Sequence, residues 1–203
     1  DSRLYGIGTR LRRLAENLLL NDSHHGARHT VLRQLVEEIG ESCNLTALSG
    51  SEVVYLDRVE TAAPLRFYLH SGSRVPVHCS ASGKIFLAQM SLAQRRRLLS
   101  NAPLEPYTPK TLTDPEALEK EVQRVRKDGF AIDNEEFLPG LLCIAALVPS
   151  GDDGPSNLCI AVQAPVMRLD AAKAKALLPA LQRAALALSR IDADAGTTSR
   201  AQA

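Results

Sequence analysis

The chain has 203 residues, 45% of them hydrophobic, enough to bury a core in one large domain or in a domain with an appendage. Its 24 basic and 23 acidic side chains leave a formal charge of +1, which excludes a chain-wide attraction to nucleic acid or to an anionic membrane and leaves only local binding. No apolar run approaches the roughly 20 residues of a bilayer span, and the opening DSRLYGIGTRLRR lacks the apolar centre of a signal peptide, so the chain reads as cytoplasmic with no membrane partner.

From Leu4 to Leu20, Leu11, Leu14 and Leu18 recur at helical spacing beside a basic face of Arg3, Arg10, Arg12 and Arg13. Asn21 to Gly26 reads as a break. Val31, Leu32, Leu35, Val36 and Ile39 then form a second amphipathic helix that ends at Gly40. CNLTALSGSEVVYLDRVE reads as a hairpin turning at Ser49-Gly50-Ser51, and LRFYLH as a further strand.

Residues 72–88, GSRVPVHCSASGKIFLA, carry an apolar, proline-containing approach into small residues and straight into a helix-like apolar run. Small side chains at such a junction leave backbone N–H groups bare, and the first N–H groups of a helix have no partner within it. Ser80, Ala81, Ser82 and Gly83 therefore form a candidate anion cradle, beside the plainer reading of a serine-capped helix start. Lys84 reads as a solvated first-turn lysine or as a reinforcement for the anion. His78 reads as satisfied by neighbouring backbone or as a cation facing the anion.

Ser91 can cap a short helix, SLAQRRRLL, whose Arg95-Arg96-Arg97 reads as a solvated face or a contact between subunits. A loop with Pro103, Pro106 and Pro109 follows. Asp114-Pro115 starts a helix with Leu118, Val122 and Val125 on one face, stopping at Gly129. Residues 130–133, 141–148 and 157–164 read as strands. A helix from about Asp170 to Ile191 closes the fold, and DADAGTTSRAQA reads as a disordered tail.

The segment DNEEFLPGLLC places the acid of Asp133 and the thiol of Cys143 around a glycine. Asp133 reads as a turn-former or as a ligand group whose pKa burial beside an anion would raise. Cys143 reads as packing or as pocket wall. Cys43, Cys79, Cys143 and Cys159 show no CxxC pair and read as reduced thiols. His24, His25 and His29 invite a metal, but no nearby acid or cysteine completes a set, so no metal or cofactor is assigned. Hairpin-linked strands with helices before, between and after them predict an α+β domain, an antiparallel sheet with helices on its faces.

Three stretches, GSRVPVHCSASGKIFLA, GFAIDNEEFLPGLLCIAALV and LCIAVQAPVMRL, resemble in order three signatures of the effector-binding domain of IclR-type transcriptional regulators, over nearly the whole chain from about Val31 to Ile191. YGIGTRLRRLAENLL resembles the family's linker between DNA-reading and sensing domains. The resemblance implies a GAF-like fold, a curved antiparallel β-sheet flanked by helices on both faces, with dimers paired into tetramers. It divides the chain into a linker helix with the end of a winged helix-turn-helix domain at 1–26, an effector-binding domain at 27–192 and a disordered tail at 193–203. It implies a pocket for a small organic acid, such as a keto, sugar or aromatic acid.

That pocket would use the N–H groups of Ala81 and Ser82, with Ser80 and Gly83 beside them, then Asp133 and Cys143, then Ala161 and Gln163. Members suited to two- or three-carbon acids carry hydroxyl residues at the last pair. Ala161 and Gln163 instead imply a larger or more apolar effector, for instance an aromatic acid. The winged helix-turn-helix domain is not found among these residues, so operator DNA would be reached through a domain outside them.

Two other readings compete. A cysteine-dependent hydrolase would use Cys143 as nucleophile, His78 as base and Asp133 as its orienter. Cys143 has no glycine-rich elbow or helix start to expose and acidify it, so the chain reads as no enzyme. A pure oligomerisation module would bind no ligand at all.

Overall fold

The computed structural model describes residues 23–100, 103–150 and 154–200. The helix read over 4–20 lies outside them. Helix α1 spans Ser23–Ile39 and runs through Gly26, which corrects the predicted break there. A single glycine costs a helix only about 1 kcal/mol, and Leu32 and Leu35 repay it by burying on the sheet. The helix ends where expected, at Gly40 with φ +75°.

The hairpin forms as β1 (Ser42–Ser49) and β2 (Glu52–Val59), with Gly50 at φ +65° in its turn. LRFYLH makes no strand. The third strand, β3, is Arg74–Pro76, paired to the start of β2. Helix α2 covers Ala81–Gln89 and α3 Leu92–Leu99, the latter with the reciprocal Ser91–Gln94 capping box. Helix α4, Pro115–Asp128, is capped by Asp114 and stopped by Gly129 at φ 75°.

Strands β4 (Phe130–Asn134), β5 (Leu141–Leu147) and β6 (Leu158–Pro165) follow. The closing helix divides into α5 (Ala171–Ala176) and α6 (Leu178–Arg200). Pro179 explains the division: it has no N–H to continue the preceding helix, a signal the apolar periodicity hides. Helix α6 carries on to Arg200, into the stretch read as a disordered tail.

The strands form one six-stranded antiparallel sheet in the order β3-β2-β1-β6-β5-β4, curled into a half-barrel. Two apolar layers sandwich it. Leu45, Ile144, Ile160 and Val162 meet α1, α5 and α6 on the convex face. Val53, Tyr55, Cys143 and Ala161 meet α2 and α4 on the concave face. Helices cover both faces, so the central strands are buried along most of their length and read as apolar runs instead of alternating ones.

Two surface readings are corrected. Arg95 is 2% exposed. It reaches Glu119 on α4 at 2.9 and 2.5 Å and donates to the carbonyls of Leu87 and Met90, clamping α3 to α2 and α4. Lys84 is fully buried and donates to Glu136 at 2.6 Å, to the Ile132 carbonyl at 2.5 Å and to Glu121 at 3.3 Å. It is neither solvated nor free for a ligand anion.

Candidate functional site

The junction before α2 folds as its small residues require. Ser80 caps the helix from an extended conformation, its Oγ accepting from the Gly83 N–H at 3.2 Å and donating to the Pro76 carbonyl at 2.6 Å. Gly83 packs directly on the backbone of Val77. This holds the turn that leads from β3 into α2 against the concave face of the sheet. The N–H groups of Ala81 and Ser82, first in the helix, donate to no other group among the described residues.

Those amides border a cavity between α2 and the sheet. Of the residues chosen from the sequence, Ser80, Ala81, Ser82, Asp133, Cys143 and Ala161 line it. Gly83 stands behind the cradle, and Gln163 sits beside Cys143 as its cross-strand neighbour. The cavity holds only about 10 Å³, room for one water. Tyr55 and Phe137 also line it, and neither was legible from sequence, because a buried aromatic on a strand or in a loop looks like ordinary core.

Asp133 and Cys143 face one another across β4 and β5. Asp133 Oδ1 accepts from the amides of Glu136 at 2.7 Å and Phe137 at 3.3 Å. Burial nonetheless outweighs these bonds and pushes its carboxyl up to about 7. At neutral pH this acid therefore exists in both forms, able to donate as well as accept.

Burial also drives the Cys143 thiol well above its ordinary range, so it is no thiolate. His78 Nε2 is engaged with the Glu105 carbonyl at 3.0 Å, and its ring borders a separate surface hollow with Glu105 and Tyr107. The hydrolase reading thus finds no activated nucleophile and no base directed at one. His25 and His29 turn instead to Asp57 on β2, His29 Nδ1 at 3.0 Å, and among the described residues no group of three ligating side chains could hold a metal.

Further polar residues of the concave face escaped the sequence reading. Asn44 on β1 lies opposite Ala161 on β6 and Arg58 on β2, and Arg58 Nη1 donates to Gln163 Oε1 at 2.5 Å. A charged residue inside YLDRVE carries no signal of burial, and only the strand register reveals which face it occupies.

Residues 25–190 match the family described as Bacterial transcriptional regulator IclR C-terminal. The probable transcriptional regulator SauR of Cupriavidus necator is 45% identical over 186 residues, 91% of this chain and 73% of that protein. The HTH-type transcriptional regulator BhcR of Paracoccus denitrificans is 39% identical over 160 residues, 78% of this chain and 57% of that protein. The crystal structure of the Thermotoga maritima IclR has a TM-score of 0.78 at 27% identity, covering 90% of this chain and 74% of that one. The chain spans 57–73% of the length of these two curated relatives. No described helix is long and apolar enough to cross a membrane. Since the family match runs from the first described helix through the last strand and into the closing helix, the chain belongs to the IclR family of transcriptional regulators, as its C-terminal, ligand-binding domain.

Proposed function

We propose that this domain senses a small organic acid in the cytoplasm and, as a homodimer or homotetramer, passes binding to a DNA-reading domain that meets operator DNA. The observation that carries this reading is the pair of uncommitted amides at Ala81 and Ser82, facing an ionisable Asp133 across one buried cavity. The effector's carboxylate sits on those amides, where the helix dipole also favours negative charge. Asp133 donates to it when protonated, and Gln163 contacts its far end. Because the cavity is nearly closed, binding selects a wider arrangement around Tyr55 and Phe137, and that difference in affinity between arrangements is what a regulator needs.

A thermal-shift screen of keto, sugar and aromatic acids tests this. An effector at a hundred times its Kd is expected to raise the melting midpoint by about 5–10 °C. If no acid moves the midpoint, the domain is an oligomerisation module and this reading fails.

Binding is also expected to depend on pH. In the free protein Asp133 titrates near 7 against an ordinary 3.8, so the native state binds the extra proton between these values and its stability falls as pH rises through that window. Below about 7 the proton is already in place for the effector. Above it the proton must be taken up with the anion, and affinity falls by up to about tenfold per pH unit. Calorimetric titration from pH 6 to 8.5 measures this slope, and Asp133→Asn is expected to flatten it.

A further inference from the structure

We propose that Arg58, Asn44 and Gln163 form a second anion subsite on the concave face, so that the effector carries two negative ends, in the simplest case as a dicarboxylic acid. This rests on the site reading above and narrows it.

The strand register puts the three residues on the cavity side. Arg58 pairs with Asn44, and Asn44 with Ala161, which lines the cavity. Gln163 pairs with Cys143, which also lines it. Their immediate neighbours Cys43, Leu45, Val162 and Ala164 belong to the opposite, convex layer, as strand alternation requires.

All three are buried and under-used. Asn44 is 1% exposed and Gln163 3%, and the Arg58 side chain is 4% exposed. Asn44 Nδ2 and Oδ1 and Arg58 Nε make no hydrogen bond among the described residues, and beyond Arg58 the Gln163 carboxamide has only the Cys143 thiol and the Tyr55 hydroxyl as partners. The bonds Arg58 does make, to Gln163 Oε1 and to the Phe67 carbonyl at 2.8 Å, go to neutral acceptors. The carboxylate of Glu60 stands 3.6 Å from Nε, is one-third exposed and is shared with Arg66, which holds its other oxygen at 2.6 Å.

A buried guanidinium whose charge is met only by a shared, partly exposed carboxylate and a buried carboxamide with both ends unmet each cost the free domain stability. Folded proteins rarely leave such groups orphaned, and several on one sheet face, cross-strand neighbours of the cavity-lining Ala161 and Cys143, mark a missing partner. A carboxylate fits all of them. It accepts from the Arg58 fork, from Asn44 Nδ2 and from Gln163 Nε2, and gives the guanidinium a buried counter-charge that the shared, partly exposed Glu60 supplies only in part. With the first carboxylate on the Ala81 and Ser82 amides, the ligand spans the concave face between them. Asp133, in the same row as Cys143 and Gln163, opposes this ligand only when ionised.

Calorimetric titration of the chain at pH 6.5 with matched pairs tests the proposal: butyrate and succinate, pentanoate and glutarate, benzoate and terephthalate, with succinamate as a singly charged, amide-ended control. At least one diacid is expected to bind about tenfold or more tightly than its monoacid. Arg58→Gln should remove that advantage while leaving the monoacid within about twofold. Asn44→Leu should raise the unliganded melting midpoint by a few degrees and weaken only the diacid, a pair of opposite effects that a purely structural carboxamide would not give. Monoacids that bind as well as their diacids, succinamate equal to succinate, or Arg58→Gln weakening both members alike would overturn the subsite and leave the acid-sensing reading standing. No binding by any probe overturns both.

Discussion

Replacing Gly83 by alanine is expected to destabilise the domain by about 3 kcal/mol or more, although alanine is the better helix former by about 1 kcal/mol. A Cβ at position 83 would lie 2.2 Å from the Val77 carbonyl oxygen and 2.4 Å from its Cα. Both atoms are backbone, and Val77 is 1% exposed within the concave core, so no side-chain rotation relieves the overlap. The helix must move off the turn or the turn must unravel. Either displaces Ser80, whose hydroxyl ties Pro76 to Gly83, and with it the amides of Ala81 and Ser82. Urea unfolding should show a lower midpoint, and any fraction still folded should show weakened binding of whichever acid the screen identifies. A loss below about 1 kcal/mol would mean that α2 can retreat without cost.

The same glycine shows what a sequence discloses and what it conceals. SASGK reads as a helix start because a serine cap and small residues have local signatures, and the structure places the cap where those signatures put it. That the glycine is there for contact with Val77, and not to bare an amide, depends on a turn made by residues several positions earlier. The hairpin, the Asp114 cap and the Gly129 stop were legible for the same local reason. LRFYLH was misread because strand-like composition cannot say whether an edge is available; Arg74–Pro76 occupies the edge of β2 instead.

The site divides along the same line. Residues inside recognisable stretches could be named in advance, and Ser80 to Ser82, Asp133, Cys143 and Ala161 surround one cavity. Tyr55, Asn44 and Arg58 could not, because their place follows from strand register and curl, and Phe137, though inside such a stretch, looks like ordinary loop core. Lys84 and Arg95 were taken for surface charge because their partners lie 37 and 24 positions away in sequence.

Lys84→Met is expected to cost about 3–5 kcal/mol, a fall of about 2 M in the urea midpoint. The ammonium group is fully buried beneath α2 and joins three elements, bonding Glu121 on α4, the Ile132 carbonyl on β4 and Glu136 in the loop beyond it. Removing it strands Glu136, whose side chain is 11% exposed and whose carboxyl burial already pushes above the usual range. The sign with pH follows. A carboxyl raised in the native state binds its proton there more readily than in the unfolded chain, so the variant's deficit should shrink as pH falls from 7 towards 5. Adding Glu136→Leu should restore much of the loss, because an apolar replacement for a whole buried pair is far less costly than half a pair. The backbone of Glu136 also holds Asp133 Oδ1 at 2.7 Å, so the single variant should lose acid binding beyond what its stability explains. Hydrogen exchange at the Glu136 and Phe137 amides reads that loosening directly, and unchanged protection there would show that Lys84 supports the fold without reaching the site.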